Sequence, residues 1–230
     1  MDSAPQISRI DVLEALLAER HSCRAFRRDP VGKGTIERIV AAAQRVPSWC
    51  NAQPWQVSVT ETPEATDRFR AELKRAVAED APALDLDGPE RYSGVYADRR
   101  RACGWALYDA VGVPKGDRAA SGAQMMRNYE LFDAPHVAIV SSPRDLAGYG
   151  AMDCGGFVAA FTLAARALGV DTVEQAAVAY YADAVRAHFA IDKDRMILCA
   201  ISFGHADPGH PANSFRTDRA APADVIDWVR

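Results

Sequence analysis

Apolar positions change their period several times along the chain, and each change marks an element. Ile10, Leu13, Leu16 and Leu17 recur at helical spacing, which predicts an amphipathic helix over residues 9–19. Asp29-Pro30 breaks the chain after it. Ile36, Ile39, Val40 and Ala43 mark a second helix, with Thr35 as its cap and Pro47 as its stop. The alternation in Trp55-Gln56-Val57-Ser58-Val59-Thr60 is that of a half-buried strand. A third helix opens at Pro63-Glu64, carries Phe69 and Leu73, and ends near Asp80-Ala81-Pro82. The period is then lost. Residues 80–122 hold Pro82, Gly88, Pro89, Pro114 and Gly116 around a short helical Arg99–Ala110 segment, and read as an excursion from the core. Regularity returns with the unbroken apolar run Val137–Ser141, a buried strand. A long helix of small residues follows from Met152 to Leu168 and stops at Gly169. Tyr180–Phe189 reads as helix, Met196–Phe203 as a central strand and Asp224–Val229 as a terminal helix. About six helices with three or four strands make an α+β chain, too rich in helix for a doubly wound sheet.

Composition narrows this to one domain. The chain has 230 residues, 49% of them hydrophobic, enough for a single substantial core. A net charge of −4 gives no global reason to expect nucleic acid or a membrane as partner. Met1–Gln6 lacks the basic-then-apolar pattern of a secretory signal. No uninterrupted apolar run approaches the ~18–20 residues that span a bilayer. The cysteines, Cys23, Cys50, Cys103, Cys154 and Cys199, form no Cys-x-x-Cys pair. That argues against a zinc cage or a disulfide framework, and places the protein in a reducing cytoplasm.

Three polar clusters sit at element ends. Pro47-Ser48-Trp49-Cys50-Asn51-Ala52-Gln53-Pro54-Trp55 joins a helix to a strand; Asn51 and Gln53 carry paired donor and acceptor amides, and two indoles lie beside them. Such a loop can bond the edge of a planar heterocycle and cover its face. In Arg20-His21-Ser22-Cys23-Arg24 the alternation of Arg20, Ser22 and Arg24 can turn several polar groups toward one ligand, and guanidinium forks suit phosphate. Asn213–Arg219 adds Arg216 and Arg219. Each arginine alone reads as a solvated charge; it is the three clusters together that point to a site. No Gly-x-Gly-x-x-Gly follows a strand, and no Gly-x-Ser-x-Gly is present. Val31–Thr35 lacks phosphate-loop spacing and reads as a turn before a helix, while His205 and His210 lack the spacing of a metal pair.

Together these residues resemble the FMN-dependent nitroreductase family. The resemblance covers most of the chain: Leu16–Phe26, the Pro30…Ile36…Ile39 helix, Pro47-Ser48-x-x-Asn51-x-Gln53-Pro54-Trp55, Ala134-Pro135, Ala164…Leu168-Gly169, Phe203-Gly204 and the terminal arginine loop. Arg99-Arg100-Arg101…Leu107-Tyr108…Gly112…Asp117 and Asn213…Arg219 look like the branch with nitrobenzoate and nitrophenol reductases.

The resemblance implies a central, mostly antiparallel sheet flanked by helices, an intertwined homodimer, and one domain over 1–230 whose excursion at about 80–128 caps the active site. It implies FMN as cofactor, NAD(P)H as electron donor and nitroaromatics as oxidants, reduced by two-electron, ping-pong transfer. Arg20 and Ser22 would hold the phosphate and ribityl chain with His21 beside them, and Arg24 would stabilise negative charge at the N1/C2 carbonyl edge. Pro47, Ser48, Trp49 and Asn51 would reach the same flavin from the partner subunit, with Gln53 supporting the loop. Arg216 or Arg219 would close on the phosphate. The family's Pro-Glu-Gly turn is replaced here by Val173-Glu174-Gln175-Ala176, leaving a backbone N–H near Gln175 as the N5 contact. Trp49, Tyr96 and Trp105 are substrate candidates; packing in the dimer interface, for Trp49, and in the excursion's own core, for the other two, are the competing readings. Cys50 reads as a buried, inert thiol. A quinone, enone or dehalogenating reductase, and a flavin-binding regulatory protein, remain as alternatives.

Overall fold

The computed structural model describes residues 8–230; the Met1–Gln6 segment lies outside them. Eight α-helices and four strands occur among the described residues: α1 (Arg9–Glu19), α2 (Lys33–Ala43), β1 (Gln56–Val59), α3 (Pro63–Ala78), α4 (Gly94–Ala110), α5 (Arg118–Met126), β2 (His136–Pro143), α6 (Ala147–Ala167), β3 (Asp171–Gln175), α7 (Ala176–Ala179), α8 (Ala182–Phe189) and β4 (Arg195–Gly204). The strands form one sheet in the order β1-β2-β4-β3, every pair antiparallel.

Both faces of the sheet are covered, which is why β2 lacks polar alternation. Ala138 and Val140 face α2 and α6 through Ile39, Phe157 and Phe161. Val137 and Ile139 face the other way, onto Phe69 and Leu73 of α3 and Val185 of α8. At the end of β4 the backbone passes tightly under Pro135: a Cβ on Gly204 would lie 2.5 Å from the ring.

Several expectations change. The cap of α2 is Gly32, not Thr35, whose own N–H donates to the Gly32 carbonyl. The excursion holds two helices: α4 begins at Gly94 rather than Arg99, and α5 follows. Asp171–Gln175 is a strand that its own sequence did not announce. The tail forms only a short 3-10 turn, Pro222–Asp224, where a helix over Asp224–Val229 was expected; it has no surface to pack on, and Val225 and Trp228 are exposed. Arg144–Ala167, a 3-10 turn leading into α6, is long and apolar enough to cross a bilayer, contrary to the run-length reading. Here its Cys154–Phe157–Phe161–Ala165 side is a core face on the sheet. Helix α1 forms as its pattern predicts, yet none of its residues is buried.

The root of the excursion is tied to the sheet. Ala83 exchanges backbone hydrogen bonds with Tyr180 and Ala182. Asp85, nearly buried, accepts from Arg144, Arg186 and the Ile197 N–H. Burial opposes its charge, but these three donors outweigh it and hold the carboxyl below its ordinary range.

Candidate active site

The segment after α1 is extended and laid along the edge of β3. Ser22 bridges to Thr172, Cys23 N–H donates to the Thr172 carbonyl (2.9 Å), and Arg27 N–H donates to the His205 carbonyl (2.8 Å). Two-residue alternation follows over 22–25, with Cys23 and Ala25 buried, and Cys23 packs in a small core with Phe26, Phe132, Ala134 and Val173. Ser22 and Arg24 are thereby left on the other side.

That side is a cavity of about 230 Å³. Arg20, His21, Ser22, Arg24, Arg216 and Arg219 all line it, with Cys103 of α4 and Phe215 of the tail. The tail is held there by Asn213, whose Oδ1 accepts from Arg24 N–H (2.8 Å) and whose Nδ2 donates to the carbonyls of Ala25 and Asp207. The guanidiniums are fixed by carbonyls. Arg24 donates to Ser22 O and lies 5.8 Å from the Phe215 ring, Arg216 donates to Asn213 O and Phe215 O, and Arg219 folds onto Thr217 and Asp218. The nearest carboxylate contact is Glu174, 3.9 Å from Arg20. Burial lowers the Arg24 pKa from its ordinary value, and burial likewise lowers that of His21, against the pull of the Glu19 carbonyl. Four arginines, of which only Arg20 has a carboxylate within salt-bridge distance among the described residues, form a cavity suited to an anion with several acceptor oxygens.

The Pro47–Trp55 loop lies elsewhere in the chain, on α6. Trp49 N–H donates to Asp153 (3.0 Å), the Trp49 ring rests on Tyr149 (5.0 Å), and Trp55 stacks on Phe157 (5.3 Å). Ser48 Oγ accepts from Gln53 N–H, and the Gln53 amide donates to Asn51 O. Cys50, Asn51 and Gln53 have φ of 50°, 57° and 49°, the left-handed region that non-glycine residues avoid and that clusters at ligand clamps. Cys50 is consequently exposed, not buried. None of Pro47, Ser48, Trp49, Asn51 or Gln53 lines the arginine cavity, so a single chain does not bring the two halves together.

Helix α4 forms a wall beside the arginines. One cavity of about 840 Å³ is lined by Tyr92, Tyr96, Arg99 and Arg100 and shares Cys103, Thr217 and Arg219 with the first. Another, of about 870 Å³, shares Tyr92 and Arg100 with it and reaches Ala176. Trp105 is absent from all three walls; half-buried, it meets Tyr108 edge-on at 5.9 Å with Lys115 over its face, within the excursion. The Gln175 side chain is committed inside, donating to Asn128 O and accepting from Ser202 Oγ. Tyr92 and Cys103 were not expected at the site, and Arg100, Asn213 and Phe215 stood only inside motifs, without a role. For Arg100 and Cys103 a signal existed in their three-residue helical spacing on α4.

The fold and the cavity define an α+β protein with an arginine-lined cleft. The description "Nitroreductase family" matches residues 17–205, and the chain belongs to that family. It is 31% identical over 231 residues to "Nitroreductase NfnB" of Mycolicibacterium smegmatis, covering 100% of this chain and 98% of that one. It is 31% identical over 218 residues to "4-nitrobenzoate reductase" of a Nocardioides species, covering 91% and 87%. The crystal structure of FMN-dependent NfnB from Mycobacterium smegmatis in complex with NADPH superposes with a TM-score of 0.92 at 32% identity, covering 97% of this chain and all of that one.

Proposed function

We propose that the protein is an FMN-dependent oxidoreductase that uses NAD(P)H to reduce nitroaromatic compounds, acting as a homodimer. The observation that carries this is the convergence of Arg20, Ser22, Arg24, Arg216 and Arg219 on one cavity. Its donor set fits the FMN phosphate, a dianion with three acceptor oxygens, far better than a neutral ligand. Bound FMN supplies the two-electron chemistry, so an acid–base triad is not needed. Arg20, Ser22 and either Arg216 or Arg219 would hold the phosphate end. Arg24, partly dried by burial, would face the flavin edge where negative charge gathers. The excursion, with Tyr96 on its wall, would close the cleft to water.

The in-trans assignment of Pro47, Ser48, Trp49 and Asn51 rests on their absence from the arginine pocket of their own chain and on exposed apolar surface at the loop and on α6: Trp49, Tyr149 and Met152. The five free thiols suit a reducing compartment, the cytoplasm. Relatives with 30% or more identity include NADPH-bound and nitrobenzoate-reducing proteins, which favours the same reactants here.

The decisive experiment compares wild type with Arg20→Ala. FMN affinity should drop about tenfold or more, the worth of one charge-assisted contact, while the apo protein melts within a few degrees of wild type. Equal melting loss with unchanged FMN affinity would sink the phosphate role. A wild-type protein that takes up no FMN would sink the whole reading.

A further inference from the structure

Arg99 and Arg100 of α4 are charges that the proposed cofactor does not use. They line the 840 Å³ cavity, outside the arginine pocket, and neither has a carboxylate partner among the described residues. Their neighbour Arg101 shows the contrast, pairing with Asp98 at 3.0 Å. Arg100 is steadied by an aromatic face, its guanidinium carbon 5.5 Å from the Tyr92 ring centre, which leaves its N–H groups free for an acceptor. Tyr96, 65% exposed on the same wall, is a flat ring without a stacking partner among the described residues. Arg219 also lines this cavity, whose one lining carboxylate is Asp218. The cavity is the size of a ligand site. It meets the arginine pocket at Cys103, about one helical turn from Arg99 and Arg100 (~5–6 Å).

On the reading given under Proposed function, we infer that this cavity selects a reactant that combines a planar ring with an anionic group close to it, the anion held by Arg99 and Arg100 and the ring by Tyr92 and Tyr96. Two reactants share that chemistry, the adenosine 2′-phosphate end of NADPH and an aromatic carboxylate oxidant. Arg99 and Arg100 are thus specificity residues, distinct from the arginines assigned to FMN.

The test is equilibrium binding to the purified holoprotein, with NADP⁺ against NAD⁺ and benzoate against benzamide, in wild type and in Arg99→Gln/Arg100→Gln. Wild type should prefer the member with the additional anionic group, NADP⁺ or benzoate, in at least one pair by about tenfold, the worth of one charge-assisted hydrogen bond. The double variant should lose that preference at least fivefold, and the affected pair identifies the source of the anion. Absence of preference in both pairs, or a preference that survives the substitutions, overturns the inference. FMN content of the same preparations reports on the cofactor assignment separately.

Discussion

His136 shows how one buried side chain can fix both a strand and the loop beside it. It is fully buried at the start of β2, with Val31 N–H donating to Nε2 (2.9 Å) and Nδ1–H donating to the Thr60 carbonyl (3.0 Å). That pattern requires the neutral ring, since the charged form has no acceptor nitrogen for Val31. Burial lowers its pKa below the ordinary 6.5, against the raising effect of the Thr60 carbonyl. A depressed histidine pKa means that the unfolded chain takes up the proton first. Its contribution is therefore complete above the unfolded pKa and is lost as pH falls below it, at no more than about 1.4 kcal/mol per pH unit. Urea unfolding between pH 8 and 5 should show this slope in wild type and a shallower one in His136→Gln. The variant should also lose about 1–3 kcal/mol at pH 8, because one amide cannot restore both buried hydrogen bonds. Equal slopes in the two proteins would assign the pH dependence elsewhere, His21 and His188 being the other histidines with lowered values.

Among the elements, the excursion is held by very little apolar surface. Neither α4 nor α5 has a buried residue. Its attachment leans instead on Asp85, whose side chain is 9% exposed and bonded to Arg144, Arg186 and Ile197 N–H. Asp85→Ala strands the Arg186 charge, itself 11% exposed, and should cost about 3 kcal/mol. Arg101→Ala, which removes only an exposed pair, should cost under about 1 kcal/mol. Limited proteolysis should cut Asp85→Ala first near residues 83–92; cleavage there at the wild-type rate would show that the anchor is elsewhere. The same scarcity of apolar contacts explains what was legible in the sequence. Strands β1, β2 and β4, and α2, α3 and α6, bury enough residues to write their periods into it. Strand β3 does not: in Asp171-Thr172-Val173-Glu174-Gln175 only Val173 is a buried aliphatic, and pairing with β4 makes it a strand. Helix α4 was half-seen because Gly94–Asp98 adds no apolar stripe, and α5 was missed for the same reason. Arg20, Ser22 and Arg24 were readable from their alternation, whereas Cys103 and Phe215 join them only through tertiary packing.

At the scale of the whole molecule, α6 carries two faces of opposite meaning. Its inner side is aromatic and buried, while its outer side presents Met152, Gly155, Gly156 and Ala159 to the surface. A Cβ added at Gly155 or Gly156 would meet nothing within 4 Å in the single chain. Were that face simply wet, replacing either glycine would stabilise the helix by about 0.5–1 kcal/mol, the ordinary propensity gain. Two adjacent exposed glycines that forgo this gain, with Ile10 and Leu13 uncovered on α1, which contacts α6, are what the proposed dimer would require of this face. The proposed site needs the same contact, since Asn51 and Trp49 lie on this side of the chain and not at the arginine pocket. Gly156→Leu therefore separates the two cases. Sedimentation should show a dimer for wild type and a monomer for the variant. FMN bound per chain should fall with it, because half of each site would leave with the partner. Circular dichroism should retain its helical signal, since a Cβ at this position meets nothing within 4 Å in its own subunit. A Gly156→Leu protein that remains a flavin-loaded dimer would remove this face from the interface, and with it the route by which the Pro47–Trp55 loop reaches the cofactor.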